Sequence, residues 1–295
     1  MDLVNRAEPH AVALETTLLV HGVPRAEAPA LAVQIDSAVR ERGAAPAIVG
    51  LVAGVPTVGM TDAELAELLA TDGVPKANTT NLGVLIHRRA HGATTVSATM
   101  ELAAAARVRV FATGGIGGVH RDYGRRWDVS ADLAALARFP VAVVSSGVKS
   151  LLDVVATREA LETLGVPVVG YRCDRFPAFY RRESDAGVDA RFDDPAELAG
   201  FVAAELTRTG RGVLIANPIP EPDELPAGLL EGWTARAHAS AEEAGATGRD
   251  VTPHVLAHLH QISEGRTLAA NIALVLSNAR LGGAIAGAMP SQNPA

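Results

Sequence analysis

VRVFATGGIGGVHRDYGRRWDVSADLAALARFPVAVVSSGVKSLLD, residues 108–153, is the stretch whose reading decides the fold. It holds an apolar run (Val108, Val110, Phe111), a loop of four glycines around Ile116, and His120 followed by Arg121. Asp128 and Asp132 come next. A second apolar run, Val141 to Val144, then ends in Ser145-Ser146-Gly147-Val148-Lys149. Short uninterrupted apolar runs are the mark of strands buried on both faces, as in a parallel sheet covered by helices. Two such strands finishing in small residues and a charged group point to one shared site, because ligands of open α/β sheets bind outside the carboxyl ends of the strands.

Upstream, residues 11–20 read as another buried strand, interrupted by Glu15 between Leu14 and Leu18. A carboxylate there is either an edge-strand residue facing water or a site acid whose pKa burial raises. Leu31, Ile35, Ala38 and Val39 repeat at helical spacing, with Gly43 as a stop. Residues 47–59 read as a hairpin turning at Ala53-Gly54, and Thr61 with Glu64 makes a capping box for a helix through Leu69. Lys76 lies in a polar loop before a helix over residues 81–91. Thr94, Thr95, Ser97 and Thr99 crowd the start of an alanine-rich helix ending near Ala106. Hydroxyls and amides at such a start either cap the helix or hold an anion such as phosphate.

Downstream, a helix over residues 158–164, a strand over 166–171, a helix over 194–207 and a strand over 212–216 continue the alternation. Helices over 229–243, 255–263 and 267–289 follow, with Asn271 set in an apolar stripe. The aromatic segment Phe176 to Tyr180 is either a lid or a loop anchor. Residues 282–295 are expected to fade into a mobile tail, with 11–288 as the ordered core and 289–295 the tail proper. No internal repeat or linker interrupts the chain, so residues 1–295 read as a single α/β domain with a helical C-terminal portion.

A chain of 295 residues with 48% hydrophobic content buries a substantial core. Its net charge of −7 and the lack of a basic cluster longer than Arg-Arg argue against nucleic acid or a membrane surface as the main partner. The single cysteine, Cys173, excludes an internal disulfide and a cysteine-ligated zinc. No leader and no apolar run of membrane-spanning length are read, which makes the cytoplasm the expected location. Only two of the 26 basic residues are lysines, Lys76 and Lys149. Arginine serves solubility and carboxylate pairing equally well but cannot shed its proton to become a nucleophile, so the two retained lysines point to jobs arginine cannot do. Coding bias with two chance survivors is the bland alternative.

The glycine loop at residues 114–118 fits neither the dinucleotide fingerprint nor a P-loop, and serves instead close backbone approach to a ligand or loop movement. Asp128 and Asp132 share one face if residues 128–136 are helical. Such a pair suits a hard divalent cation held mainly by water, contacts to sugar hydroxyls, or simple helix capping. Lys149 follows apolar and small residues, a setting that disfavours the ammonium; a neutral amine adds to an aldehyde carbon and forms an imine.

The segments ALETTLLVHG (13–22), GVPK (73–76), HGATTVSATM (91–100), FATGGIGGVHR (111–121), DVSADL (128–133), GVKSLLD (147–153), GVPVVGY (165–171), PAFY (177–180), ANPIP (216–220) and NIALV (271–275) closely resemble the pseudouridine-5′-phosphate glycosidase family, in order and over nearly the whole chain. The resemblance implies a three-layer α/β/α fold assembling as a homotrimer. It implies reversible cleavage of the carbon–carbon glycosidic bond of pseudouridine 5′-phosphate to uracil and ribose 5-phosphate, assisted by a divalent metal, typically Mn2+, in an enzyme of the carbon–oxygen lyase (hydro-lyase) class. By the same resemblance Glu15 is the general acid and Lys149 the nucleophile that forms a Schiff base. Asp128 matches the metal ligand; Ser130, Ala131 and Asp132 match a substrate-contacting segment. Lys76 and Val96 match further substrate contacts, and His120 and Asn271 match polar residues lining the site.

Two loops depart from the family pattern. Asn78-Thr79-Thr80-Asn81-Leu82 replaces a Ser-Arg-Arg-Asp-Leu-like run, and Asp122-Tyr123-Gly124-Arg125-Arg126-Trp127 replaces a Gly-Ala-Glu-rich one. These changes motivate a second expectation, a C-glycosynthase joining ribose 5-phosphate to a carbon nucleophile other than uracil. A non-catalytic ribose-phosphate binder is the third. A lysine-imine aldolase on an eight-stranded barrel is disfavoured, because the hairpin and the helical C-terminal third break the βα alternation.

Overall fold

The structure, a computed structural model, describes residues 2–124, 127–245 and 251–290. The elements run in the order β1 (Val4–Asn5), β2 (Ala11–Glu15), α1 (Thr16–His21), α2 (Ala28–Arg40), β3 (Ala45–Val52), β4 (Val55–Val58), α3 (Asp62–Ala70), β5 (Lys76–Ala77), α4 (Leu82–His87), β6 (Ala93–Thr94), α5 (Val96–Ala105), β7 (Val110–Ala112), β8 (Val119–His120), α6 (Ala131–Arg138), β9 (Ala142–Ser145), β10 (Leu152–Asp153), α7 (Val154–Thr163), β11 (Val168–Tyr171), β12 (Ala190–Phe192), α8 (Pro195–Thr209) and β13 (Val213–Ala216), then a short 3-10 turn and α9 (Ala227–Glu243), α10 (Val251–Ile262) and α11 (Arg266–Ala288).

One mixed sheet has the order β1-β4-β3-β2-β7-β9-β13-β11-β12, and the β3–β4 hairpin is its antiparallel pair. Its central strands are buried on both faces because helices cover both. Along β2 the alternation is explicit: Val12 and Leu14 join the core under α1, α2, α8 and α11, while Ala11 and Ala13 join the core under α4, α5, α6 and α7. The expected three-layer α/β/α architecture is therefore present, including the hairpin and the capping box, in which Thr61 Oγ1 accepts the Glu64 N–H and Glu64 Oε2 accepts the Thr61 N–H.

Several expected boundaries change. The strand expected over residues 11–20 stops at Glu15, where the chain leaves the sheet and turns into α1. Since β2 lies between β3 and β7, the edge-strand reading of Glu15 is excluded. The helix expected over 81–91 ends at His87, because Arg89 takes a left-handed φ of 53° and reverses the chain. The expected tail is helix as far as Ala288, and Met289 is buried. Its glycines are contact residues rather than breakers: a Cβ on Gly283 would stand 2.8 Å from the Val39 carbonyl oxygen, so α11 crosses α2 at backbone distance. Residues 291–295 of the expected tail lie outside the described residues. By length and composition α11 is also apolar enough to cross a membrane, contrary to expectation, but it is the core helix that packs on β2, β7, β9, α2 and α8.

Candidate active site

Three adjacent strands, β2, β7 and β9, run parallel and end on one side of the sheet. The first ends in Glu15, the second leads through Thr113 into the glycine loop, and the third leads through Ser145 to Lys149. Two small ladders bring up the remaining groups. Pairing of β5 with β6 sets Lys76 opposite Ala93, just before the start of α5; pairing of β8 with β10 sets His120 opposite Leu152, just after Lys149. The Ile116 carbonyl accepts the Lys149 N–H at 3.1 Å, and Arg121 donates to the carbonyls of Ser150 and Leu152, so both sides of the lysine loop are fastened.

These elements enclose a cleft of about 380 Å³ that contains Lys76, His120, Asp128, Ser130, Asp132 and Lys149. Behind it lies a smaller chamber of about 50 Å³ walled by Glu15, His21, Thr113, Lys149 and Asn271. Thr17, Lys76 and Lys149 line both, so the two form one path with the lysines at its neck.

Glu15 is 5% exposed; one carboxyl oxygen accepts the Thr113 hydroxyl and the other is buried without a partner. Burial raises its pKa above the ordinary carboxylate range, against the opposing pull of Lys149 and of the Thr113 hydroxyl, so the group is biased to keep a proton. Burial lowers the pKa of His21, and the Lys76 charge adds to the effect, so this ring is held neutral. Buried oxygens and nitrogens without partners are rare in folded proteins, each costing about 1–3 kcal/mol. The deep chamber has three: Glu15 Oε2, His21 Nε2 and Asn271 Oδ1.

Asp128 and Asp132 do not share a helix face as expected. Residues 128–130 pair with 118–120 in extended conformation, and α6 starts only at Ala131 with Ser130 as its N-cap. Asp132 is 5% exposed, and its two carboxylate oxygens accept the N–H groups of Ser97 at 3.0 Å and Gly117 at 2.8 Å. It therefore fastens the glycine loop to the N-terminus of α5, where a negative charge is favourable. A Cβ on Gly117 would stand 2.3 Å from Ser130 Oγ and 2.8 Å from Asp132 Oδ2, so this glycine is required by close approach. Asp128 keeps a half-exposed carboxylate at the cleft mouth, 3.8 Å from His120 Nε2. Among the described residues no three His, Cys, Asp or Glu side chains gather into a metal cluster. That donor set fits a hard cation held by one carboxylate and otherwise by water.

The family profile named indigoidine synthase A like protein matches residues 3–288. A pseudouridine-5′-phosphate glycosidase of a Nocardioides species is 47% identical over 277 residues, covering 93% of this chain and 90% of the relative. One from Salinispora tropica is also 47% identical, covering 93% and 86%. The chain belongs to the pseudouridine-5′-phosphate glycosidase family. Among solved structures, the prealnumycin C-glycosynthase AlnA in complex with ribulose 5-phosphate is 38% identical with a TM-score of 0.86, covering 95% of this chain and 91% of AlnA. An indigoidine synthase A-like protein from Thermotoga maritima is 36% identical with a TM-score of 0.88, covering 96% and 95%.

Of the residues that the family resemblance singles out, Lys76, His120, Asp128, Ser130, Ala131, Asp132 and Lys149 line the cleft, and Glu15 and Asn271 join Lys76 and Lys149 around the deep chamber. Val96 does not face the cleft: its side chain is buried in the core under α5, leaving its backbone at the helix start as its route to a ligand. The four hydroxyls of that region divide. Thr94 and Thr99 are buried and tie α5 to Thr16 and the Val49 carbonyl, whereas Thr95 and Ser97 face the cleft. Phe176, Phe179 and Tyr180 are buried anchors rather than a lid, and Phe179 walls the deep chamber.

Sequence reasoning gave no role to Thr17, Thr113 and His21, and singled out Asn78 and Thr80 only as part of a loop that departs from the family. Within the loop that departs from the family, Asn78 Oδ1 accepts the N–H groups of Thr80 and Asn81, and the Asn81 amide donates to the Lys76 carbonyl at 2.9 Å; side-chain bonds thus hold the Lys76 loop. In the second departing loop Trp127 is 85% exposed and the Tyr123 ring lies beside it at a tilt of 50°, with ring centroids 5.2 Å apart; Arg125 and Arg126 lie outside the described residues.

Proposed function

We propose that the protein reversibly makes and breaks the carbon–carbon glycosidic bond between ribose 5-phosphate and a pyrimidine, taking pseudouridine 5′-phosphate and water to uracil and ribose 5-phosphate through a Lys149 imine. The observation that carries this reading is the buried Glu15, its pKa raised by burial, in one chamber with Lys149. Carbon is a poor leaving group, so the sugar must first open. The Glu15 O–H gives its proton to the ribose ring oxygen as the bond from C1′ to that oxygen breaks, and the Lys149 amine adds to C1′. The C1′–base bond then breaks with its electron pair leaving on the base carbon, which takes up a proton. Water hydrolyses the resulting imine to the aldehyde form of ribose 5-phosphate.

The 5′-phosphate is assigned to the outer cleft, where the first turns of α5 and α6, the hydroxyls of Thr17, Thr95 and Ser130, and Lys76 meet. Asp132 acts as a positioning residue there, since its carboxylate is spent on backbone amides. Asp128 would hold Mn2+, which when bound supplies positive charge at the mouth of the cleft. The homotrimer and the hydro-lyase classification belong to this proposal and rest on the resemblance; the cytoplasmic setting belongs to it as an expectation from the sequence.

The exposed Tyr123–Trp127 pair beside Asp128 favours one alternative, synthesis with a carbon nucleophile other than uracil, and AlnA is a related C-glycosynthase. The deciding experiment is intact-protein mass after incubation with ribose 5-phosphate and borohydride. An adduct mapping to Lys149 supports imine chemistry, and its absence from folded, metal-supplied wild type overturns it in favour of a non-catalytic binder. Turnover of uracil but no other carbon nucleophile removes the alternative.

A further inference from the structure

Asn278 sets an amide in the apolar core stripe of α11, beside Leu274, Val275 and Leu281, and it is fully buried. Its side chain meets three neighbouring strands at the first residue past each of them. Nδ2 donates to the Thr113 carbonyl after β7 at 2.7 Å and to the Ser146 hydroxyl oxygen after β9 at 3.2 Å, while Oδ1 accepts the Asn217 side-chain amide after β13 at 2.8 Å. The Thr113 carbonyl can only accept, so the nitrogen of the Asn278 amide must face it. Both N–H groups and the oxygen are matched, and the one amide ties together the carboxyl ends of β7, β9 and β13.

Thr113 leads from this knot to the acid. The residue that gives its carbonyl to Asn278 turns its hydroxyl to Glu15 and donates to Oε1. A carboxyl that has kept its proton holds only one. With the Thr113 proton directed at Oε1, the proton of the carboxyl itself belongs on Oε2, the oxygen that is buried without a partner. Glu15 walls the deep chamber together with Lys149, so Oε2 is the oxygen left to serve a sugar oxygen there. Threonine is stiff at χ1, and whatever fixes its backbone therefore also aims its hydroxyl.

We propose that Asn278 is a positioning residue for the acid: by tying the Thr113 carbonyl to the ends of β9 and β13, it keeps the Thr113 hydroxyl on Glu15 Oε1 and the transferable proton on Oε2. The proposal rests on the ribosyl-transfer reading given above and adds the relay that aims its proton.

The test follows imine formation from ribose 5-phosphate alone, stopped with borohydride at timed intervals across a range of pH, so no base needs to be known. Wild type is compared with Thr113→Val, Thr113→Ser, Asn278→Leu and Asn278→Ala, with thermal denaturation in parallel. A general acid gives a rate that falls as pH rises through its pKa. The Thr113 hydroxyl favours the ionised carboxyl, so removing it moves that fall to higher pH. The charged groups that face Glu15 are Lys149, Asp132 and Lys76, with His21 on the chamber wall; none of them is altered by these substitutions, so a moved fall reports the hydrogen bond. Thr113→Val lowers the maximal rate by about 10-fold and moves the fall upward, and Thr113→Ser restores both. Asn278→Leu does the same as Thr113→Val with the half-saturating ribose 5-phosphate concentration unchanged, and Asn278→Ala covers the case in which leucine does not fold. Combining Thr113→Val with the Asn278 variant moves the fall no further than Thr113→Val alone. Asn278 variants that melt earlier but keep the wild-type pH profile overturn the proposal, since the amide would then serve only the fold. So does a double variant whose shifts add, or a Thr113→Val profile that stays in place. Wild type that traps no ribose 5-phosphate overturns the ribosyl-transfer reading beneath it.

Discussion

The two ends of the central sheet carry cavities of almost equal size and unequal chemistry. At the carboxyl ends of β2, β7 and β9 the cleft of about 380 Å³ collects both lysines of the chain, two aspartates, a histidine and the starts of two helices. At the opposite end a groove of about 400 Å³ is walled mainly by alanines, prolines and valines, with Arg107, Arg109 and His10 among them. Size does not locate the chemistry here; strand direction does. Parallel strands followed by helices deliver helix N-termini, with their unbonded amides, to one end only. Loops at that end are also free to carry polar groups that a strand buried on both faces cannot hold.

Substitutions at the two ends sharpen or break this contrast. Lys149→Ala should lower kcat by about 10⁴-fold or more, the cost of losing a covalent nucleophile, and should abolish borohydride trapping. Glu15→Gln should cost about 10²- to 10⁴-fold in kcat as a lost general acid. The same variant carries a signature in stability. With the Glu15 carboxyl held above its ordinary pKa, the folded chain keeps a proton that the unfolded chain releases, and the stability linked to that proton is lost as pH rises through the folded value. Thermal denaturation at acid and at alkaline pH should therefore show Glu15→Gln gaining on wild type as pH rises, by about 2–4 °C per kcal/mol recovered. An advantage that shrinks with rising pH would mean that Glu15 is ionised in the fold.

Asp132→Asn replaces one acceptor oxygen by an amide that faces a backbone N–H, and should cost about 1–3 kcal/mol in denaturant unfolding together with a drop in kcat/KM. Normal stability with lost activity would instead give Asp132 a direct role in substrate contact. Asp128→Asn should raise the manganese concentration for half-activation by about 10-fold or more, while stability stays within about 0.5 kcal/mol of wild type. The contrast predicts the smallest effect for Arg109→Ala in the lower groove. It removes the hydrogen bond to the Pro290 carbonyl, costs about 0.5–1.5 kcal/mol and leaves kcat unchanged. A loss of activity there comparable to that of the Asp132 variant would break the contrast.

What could be read in the sequence follows a physical rule. The apolar runs of β7 and β9, the hairpin and the Thr61–Glu64 capping box are local patterns, and they appear where periodicity places them. Glu15 and Lys149 stood out because a carboxylate inside an apolar run and a lysine in a chain nearly empty of lysines are anomalies of type, while the roles proposed for them came from the family resemblance. Their settings were not legible, because the groups that make them come from far along the chain. Thr113, which donates to Glu15, is 98 residues away, and Asn271 reaches Gly22 across 249. Asp128 and Asp132 show the opposite failure. A spacing of four fits a helix face, but the pairing of 128–130 with 118–120 overrode it, and no property of the two aspartates alone announces that bridge. His21 fell inside the quoted segment 13–22 with no role given to it, and only burial of its Nε2 in the fold sets it apart.

One consequence follows from Glu15 ending β2, which is hydrogen-bonded on both sides within the sheet. Amides in such a strand exchange with solvent only through the rarest, most global openings, whereas the Asp128 carboxylate is half-exposed and Trp127 is 85% exposed. The Glu15 carboxyl thus inherits the kinetic permanence of the core, while the exposed side chains at the rim beside it can be exchanged at little thermodynamic risk. A protein built in this way can change which base it accepts over evolutionary time without putting its acid, or its folding, at stake.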